Sequence, residues 1–198
     1  MAKTVDYYLS LNSPWAYLGS RVFAETLKRH GAQARVKPVN LGEVFPRTGG
    51  LPLPKRAPER QAYRLVELKR WSAFRDMPLN LHPKFFPAPE ALAAGCVLAL
   101  GESGGDALGV TSAILRAVWA EERNIADEAT LAEILRENGQ DPDSLFAKAR
   151  APKMAETYKA LGEEAIARGV FGAPSYIYND ELFWGQDRLE FLDRALAK

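Results

Sequence analysis

Sulfur is nearly missing from this chain: Cys96 is the one cysteine in 198 residues. An intrachain disulfide is therefore excluded, and with only His30 and His82 beside it no Cys/His zinc cluster can be assembled. A reducing compartment fits such a composition, and the abundant soluble thiol there is glutathione. Long apolar runs are also missing. The longest stretch of apolar and small residues, Ala91 to Leu100, is about half of the roughly 20 residues that a membrane helix needs, so no span is expected. The opening Met1-Ala2-Lys3-Thr4-Val5-Asp6 has no basic segment, apolar core or small-residue cleavage site of a secretory signal, and a cytoplasmic location is expected. Neither sign of charge dominates: 26 Lys and Arg face 25 Asp and Glu, interleaved, for a net charge of +1. Nucleic acid and anionic membrane are not expected as partners. The Walker pattern, the GxSxG elbow and the GxGxxG fingerprint do not occur.

What is present, at 47% hydrophobic content, suffices for one sizeable core or one domain carrying an insertion. Val5, Tyr7, Leu9 and Leu11 alternate with Asp6, Tyr8 and Ser10 and predict a first strand. Ser13 suits an N-cap and Pro14 the first helical position, while Leu18, Val22 and Leu27 give an apolar side before Gly31 stops the helix. Ala34 to Val39 predicts a second strand. From Asn40 to Pro58 the density of glycine and proline predicts an irregular, site-lining loop. Helical patterns follow over Glu59–Arg75, Glu90–Glu102, Ala107–Glu122, Glu128–Asn138, a segment starting at Asp141-Pro142, and Pro152–Arg168. Short strands are expected at Ser175–Tyr178 and Leu182–Trp184, joined through Asn179-Asp180, with a closing helix over Asp187–Ala197. A βαβ start and a ββα end cannot each bury a sheet alone, so all four strands are expected in one sheet, with the helical block as an insertion. The expected division is 1–57 with 169–198, and 58–168.

Two short segments carry the chemistry. Ser13-Pro14-Trp15-Ala16, at a strand-to-helix junction, resembles the Cys-x-x-Cys position of thioredoxin-like redox proteins with both sulfurs replaced. The Ser13 hydroxyl can cap the helix, and it can also donate to a thiolate held at the helix N-terminus, where free N–H groups and the macrodipole favour an anion. Downstream, Gly172-Ala173-Pro174-Ser175 puts a proline directly before a strand. A trans proline would simply start that strand. A cis Ala173-Pro174 bond would instead carry the Ala173 backbone to the Ser13 helix end and present it to a cysteinyl peptide.

The stretches SPWAYLG, AYRLVELKRW and GVFGAPSYIYNDELFWGQDRLEFL are similar to the bacterial 2-hydroxychromene-2-carboxylate isomerases. These are relatives of the kappa-class glutathione transferases in the DsbA-like branch of the thioredoxin superfamily. The resemblance covers essentially the whole chain and implies an α/β thioredoxin-like βαβ…ββα sheet with a large all-helical insertion. It also implies glutathione as cofactor, a small aromatic carboxylate as substrate, and a homodimer. Ser13 then matches the serine that holds the glutathione sulfur. Ala173 with cis Pro174 matches the clamp for the cysteinyl unit, and Gln186 with Asp187 the pair for the γ-glutamyl end, where Asp187 can also serve as an N-cap. The implied reaction is reversible thiolate addition to an electron-poor double bond, rotation, and departure of the thiolate.

One departure bears on the substrate. Members of that family often carry asparagine before a proline pair after the second strand, where this chain has Thr48-Gly49-Gly50-Leu51-Pro52-Leu53-Pro54. A kappa-like transferase that releases a conjugate and a noncatalytic peptide-binding relative are the rival readings. Disulfide exchange lacks the protein thiol it needs at Ser13. Cys96 suits a core position, His30 a helix C-terminus and His82 an extended loop. Tyr17 suits the core or a second hydroxyl near the sulfur. Lys55, Arg56, Arg60, Arg64, Lys69 and Arg70 could receive a carboxylate or form a solvated face, and Trp15, Phe45, Trp71, Phe74, Phe85 and Phe86 could wall a pocket or fill the core.

Overall fold

The structure is a computed structural model describing residues 2–198. Strand β1 (Thr4–Leu9) leads through a short turn into α1 (Pro14–His30), and β2 (Gln33–Pro38) returns beside it. Helices α2 (Leu41–Thr48), α3 (Pro58–Arg75), α4 (Ala91–Glu102), α5 (Ala107–Trp119), α6 (Glu128–Glu137), α7 (Pro142–Ala149) and α8 (Pro152–Ala167) follow. The chain closes with β3 (Ser175–Tyr178), β4 (Glu181–Trp184) and α9 (Leu189–Leu196). All four strands form one sheet in the order β2-β1-β3-β4. β1 runs parallel to β2 and antiparallel to β3, and β4 continues antiparallel.

Alternation along β1 sends its side chains to two differently built faces. Tyr7 lies opposite Tyr176 in register, their rings stack at 5.1 Å, and Phe23 of α1 covers both at 4.8 and 4.7 Å. Asp6 and Tyr8, on the other face, meet charges from β2 and α8. Tyr8 Oη donates to Glu164 at 2.5 Å, Lys37 pairs with the same carboxylate at 2.5 Å, and Arg168 donates to Asp6 at 2.5 Å. Helix α1 packs with α3, α5 and α9, while α4 and α8 pack at β2.

Helix α1 begins and ends as its sequence dictates. Ser13 Oγ accepts from Ala16 N–H, and Gly31 closes the helix in the left-handed region at φ 59°. The segment expected to be irregular holds α2 and a 3-10 turn at Leu53–Lys55. Asn40 Oδ1 caps α2 at Gly42 N–H (3.0 Å), Val44 buries its side chain, and Gly49 stops the helix at φ 81°. The glycine and proline content there punctuates a helix instead of preventing one. The last helix also differs: a 3-10 turn at Gln186–Arg188 precedes α9, so Asp187 does not cap it. β1 stops at Leu9, two residues before the predicted end, because Ser10 turns its hydroxyl to Glu90. α5 stops at Trp119, short of Glu122, which adopts φ 54°.

Candidate active site

The site grows from the corner between β1 and α1. Ser13 is 6% exposed, and its N–H donates to Ser10 carbonyl at 2.9 Å, which fixes the turn. Its Oγ accepts from Ala16 N–H at 3.1 Å and donates to Ala173 carbonyl at 3.4 Å. The two halves expected to meet do meet, across 160 residues. The Ala173-Pro174 bond is cis, which is the alternative that the family resemblance implies. That loop is pinned from behind: Gly185 N–H donates to Pro174 carbonyl at 2.9 Å, and Ser175 Oγ to Gly172 carbonyl at 2.8 Å. A Cβ on Gly172 would stand 2.6 Å from Trp184 Nε1, so a larger residue there would have to displace the indole. In the first turn of α1, Pro14 has no N–H and Ala16 is engaged by Ser13, while Trp15 N–H has no partner among the described residues. One free N–H and one weakly engaged hydroxyl thus share the positive end of a helix of 17 residues.

Gln186 is buried against α1, where a Cβ on Gly19 would lie 2.8 Å from the Gln186 Cβ. Its Oε1 accepts from Arg75 Nε at 3.2 Å and Nη2 at 3.0 Å, and Arg75 also reaches its carbonyl at 3.3 Å. Burial pushes the Arg75 guanidinium below its ordinary value, with Tyr176 as the first opposing influence. Asp187 is exposed, and its carboxylate pairs with Arg188 at 2.7 Å instead of with the Ser13 corner.

Three residues that sequence reasoning passed over brace the corner. The Asn12 carboxamide exchanges two hydrogen bonds with the Ala88 backbone, both at 2.9 Å. Glu90, immediately before α4, accepts from Ser10 Oγ at 3.0 and 2.9 Å and from Asn12 N–H at 3.1 Å. Burial pushes its carboxyl up to about 7, against the pull of those donors. Arg75 is the third. Only the polar run Ser10-Leu11-Asn12-Ser13 hints at such a brace, because the partners lie 76 to 80 residues away for Asn12 and Ser10.

The remaining candidates separate cleanly. Tyr17 Oη donates to Pro78 carbonyl at 2.7 Å and is buried, which ties the loop after α3 to α1. Cys96 is buried and burial pushes its thiol up to about 12, a core position. His30 Nε2 lies 2.9 Å from Asp193 and His82 is exposed. Among the described residues no group of three or more His, Cys, Asp and Glu could hold a metal ion. Among the described residues no helix is long and apolar enough to cross a membrane. Of the basic set, Arg70 pairs with Glu67, Arg56 donates to Leu51 carbonyl, and Arg64 lies over Phe86 and Trp119. Phe74 is 74% exposed, whereas Trp15, Trp71 and Phe86 pack against the core.

A four-stranded mixed sheet with a helical block between β2 and β3, and a helix N-terminus facing a cis-proline loop, is a DsbA-like thioredoxin fold. The chain belongs to the DSBA-like thioredoxin domain family, whose sequence pattern it matches over residues 4–197. The resemblance to 2-hydroxychromene-2-carboxylate isomerases extends over its full length. It is 30% identical over 198 residues to the 2-hydroxychromene-2-carboxylate isomerase of Sphingobium xenophagum, covering 99% of each chain. It is 24% identical over 206 residues to glutathione S-transferase kappa 1 of Caenorhabditis elegans, covering 98% of this chain and 91% of that one. A solved structure of a 2-hydroxychromene-2-carboxylate isomerase superposes with a TM-score of 0.82 at 24% identity, over 98% of this chain and 94% of that chain.

Proposed function

We propose that the protein is a glutathione-dependent isomerase of the 2-hydroxychromene-2-carboxylate isomerase type, acting in the degradation of aromatic compounds. The observation that carries the proposal is the meeting of Ser13 with Ala173 at the α1 N-terminus. The donor set there fits a thiolate. A hydroxyl whose bond to Ala173 is long at 3.4 Å, and a Trp15 N–H without a partner, leave two donors for one anionic sulfur. Ser13 would hold that sulfur, Ala173 with Pro174 would pair with the cysteinyl backbone, and Gln186 and Asp187 would take the γ-glutamyl end. When bound, glutathione supplies a nucleophilic thiolate that adds reversibly to an electron-poor double bond and leaves after rotation. The chain lowers the cost of that charge by placing donors at a helix end whose dipole favours an anion. Arg75 keeps Gln186 in place, and the Glu90 and Asn12 brace holds the Ser13 turn rigid.

Titration of bound glutathione by thiolate absorbance at about 240 nm tests the assignment. Ser13→Ala is expected to raise the apparent thiol pKa by about one unit or more. An unchanged titration would remove Ser13 from the role. The similarity to a kappa-class transferase supports a second reading, conjugation, and glutathione consumed in proportion to substrate would select it over isomerisation. A homodimer belongs to the same proposal, with exposed Tyr63, Val66 and Phe74 of α3 as its apolar face. Sedimentation of a Phe74→Glu variant as a monomer is the expected result.

A further inference from the structure

Seven lysines and arginines among the described residues are half-buried, and all but one have found an acceptor. Lys3 donates to Leu196 carbonyl, Lys37 to Glu164, Arg56 to Leu51 carbonyl, Arg75 to Gln186, Arg123 to Glu137 and Arg168 to Asp6. Arg64 has neither a carboxylate nor a carbonyl partner among the described residues. Its guanidinium lies 5.6 Å from the ring centroids of both Phe86 and Trp119. Burial, with Arg56 adding like charge, pushes it down to about 10, so it stays charged at neutral pH. The indole it covers leaves its own Nε1–H buried without an acceptor. Stacking on two rings offsets part of the desolvation but supplies no lone pair to a guanidinium with five N–H donors. Donors gathered without acceptors are the complement of an anion.

The location supplies the rest. Phe86 stands two residues before Ala88, whose backbone is bonded on both sides to Asn12, the neighbour of Ser13. Tyr17, on the first turns of α1, is tied to Pro78, and Asn80 N–H to Trp119 carbonyl at 2.7 Å. The segment carrying the Arg64 platform is thus strapped to the Ser13 corner.

We propose that Arg64 is a specificity-determining residue that receives the carboxylate of a small molecule bound at the Ser13 corner. The inference rests on reading that corner as a ligand site. The carboxylate could come from the glycyl end of glutathione or from an aromatic acceptor, and matched acid and ester probes separate the two. Affinities are measured by tryptophan fluorescence and calorimetry for glutathione against its glycyl monoethyl ester and, without glutathione, for trans-cinnamate against methyl cinnamate.

The wild-type protein is expected to prefer the acid in at least one pair. Arg64→Met, whose apolar chain can lie between the same two rings, is expected to weaken that acid tenfold or more while leaving its ester unchanged. Arg64→Lys, which keeps the charge but loses the planar fork, is expected to retain part of the preference. Loss in the glutathione pair assigns the glycyl carboxylate, and loss in the cinnamate pair assigns the acceptor. An acid preference that is absent from the wild type, or that survives in both variants, overturns the proposal. Because the cinnamate arm contains no glutathione, it reads Arg64 even if the sulfur assignment at Ser13 fails.

Discussion

Glu90 shows how one side chain can set the pH behaviour of the molecule. In the unfolded chain its carboxyl titrates near 4.5, and in the fold near 7. As pH rises, the unfolded state gives up its proton first, so folding stability falls between these two values and levels off above the higher one. At 1.36 kcal/mol per pKa unit the loss amounts to about 3 kcal/mol. Glu90→Gln retains an acceptor for Ser10 and Asn12 but has nothing to ionise. Urea unfolding at pH 5 and pH 8 is expected to show the wild type losing stability relative to this variant. Parallel changes in the two proteins would contradict the buried position of the carboxylate. Sequence alone marks position 90 as a helix start, and that is where it stands. Its acid chemistry was invisible because Ser10 and Asn12 reach it only through tertiary structure.

Among the elements, α1 carries the densest set of constraints. Its face toward Gln186 must be bare at Gly19, where a Cβ would approach Gln186 Cβ at 2.8 Å and Tyr176 Oη at 3.2 Å. Gly19→Ala therefore forces Gln186 off its bond with Arg75, an overpacking that costs about 1–3 kcal/mol. Glutathione affinity is expected to fall about tenfold along with a lowered melting temperature. A stable variant with unchanged affinity would show that Gln186 does not contribute to the site. The start of this helix was legible from Ser13-Pro14, because capping is local chemistry. The role of Gly19 was not, since it depends on a residue on the far end of the chain. α2 was hidden by its own punctuation: Asn40, Pro46 and Gly49 looked like loop residues until Val44 had a core to enter. The N-cap reading of Asp187 failed for a related reason, because a 3-10 turn follows Gly185 at φ 100° and separates Asp187 from the start of α9.

In the molecule as a whole, the polar face of the sheet rests on Asp6. Burial pushes its carboxyl up, but Arg168 and Arg35 pull harder and Lys37 adds to them, so the net shift is downward. Stability from this carboxylate is present above the ordinary aspartate range and is lost as pH falls through the lowered value. Asp6→Asn leaves Arg168 and Lys37 partly buried with less compensation, a loss of about 3 kcal/mol at pH 7. The difference from wild type is expected to shrink in acid, and a constant difference across pH would assign the effect to packing. The alternation of β1 and the βαβ to ββα order made the four strands and their shared sheet legible, but not the order β2-β1-β3-β4. The partners of the polar face of β1 were not legible either, because Glu164 and Arg168, which meet Tyr8 and Asp6, lie 156 and 162 residues away along the chain.

β1 also has a history. Its parallel partner β2 follows within the next turns of chain, but its antiparallel partner begins only at Ser175. During synthesis, roughly 7 to 28 seconds separate the two at bacterial and eukaryotic elongation rates. For that interval a central strand carrying Tyr7 and Tyr8 presents an open edge, and the Ser13 corner has no Ala173 to face. The corner proposed to hold a ligand can close only after Ala173 has left the ribosome.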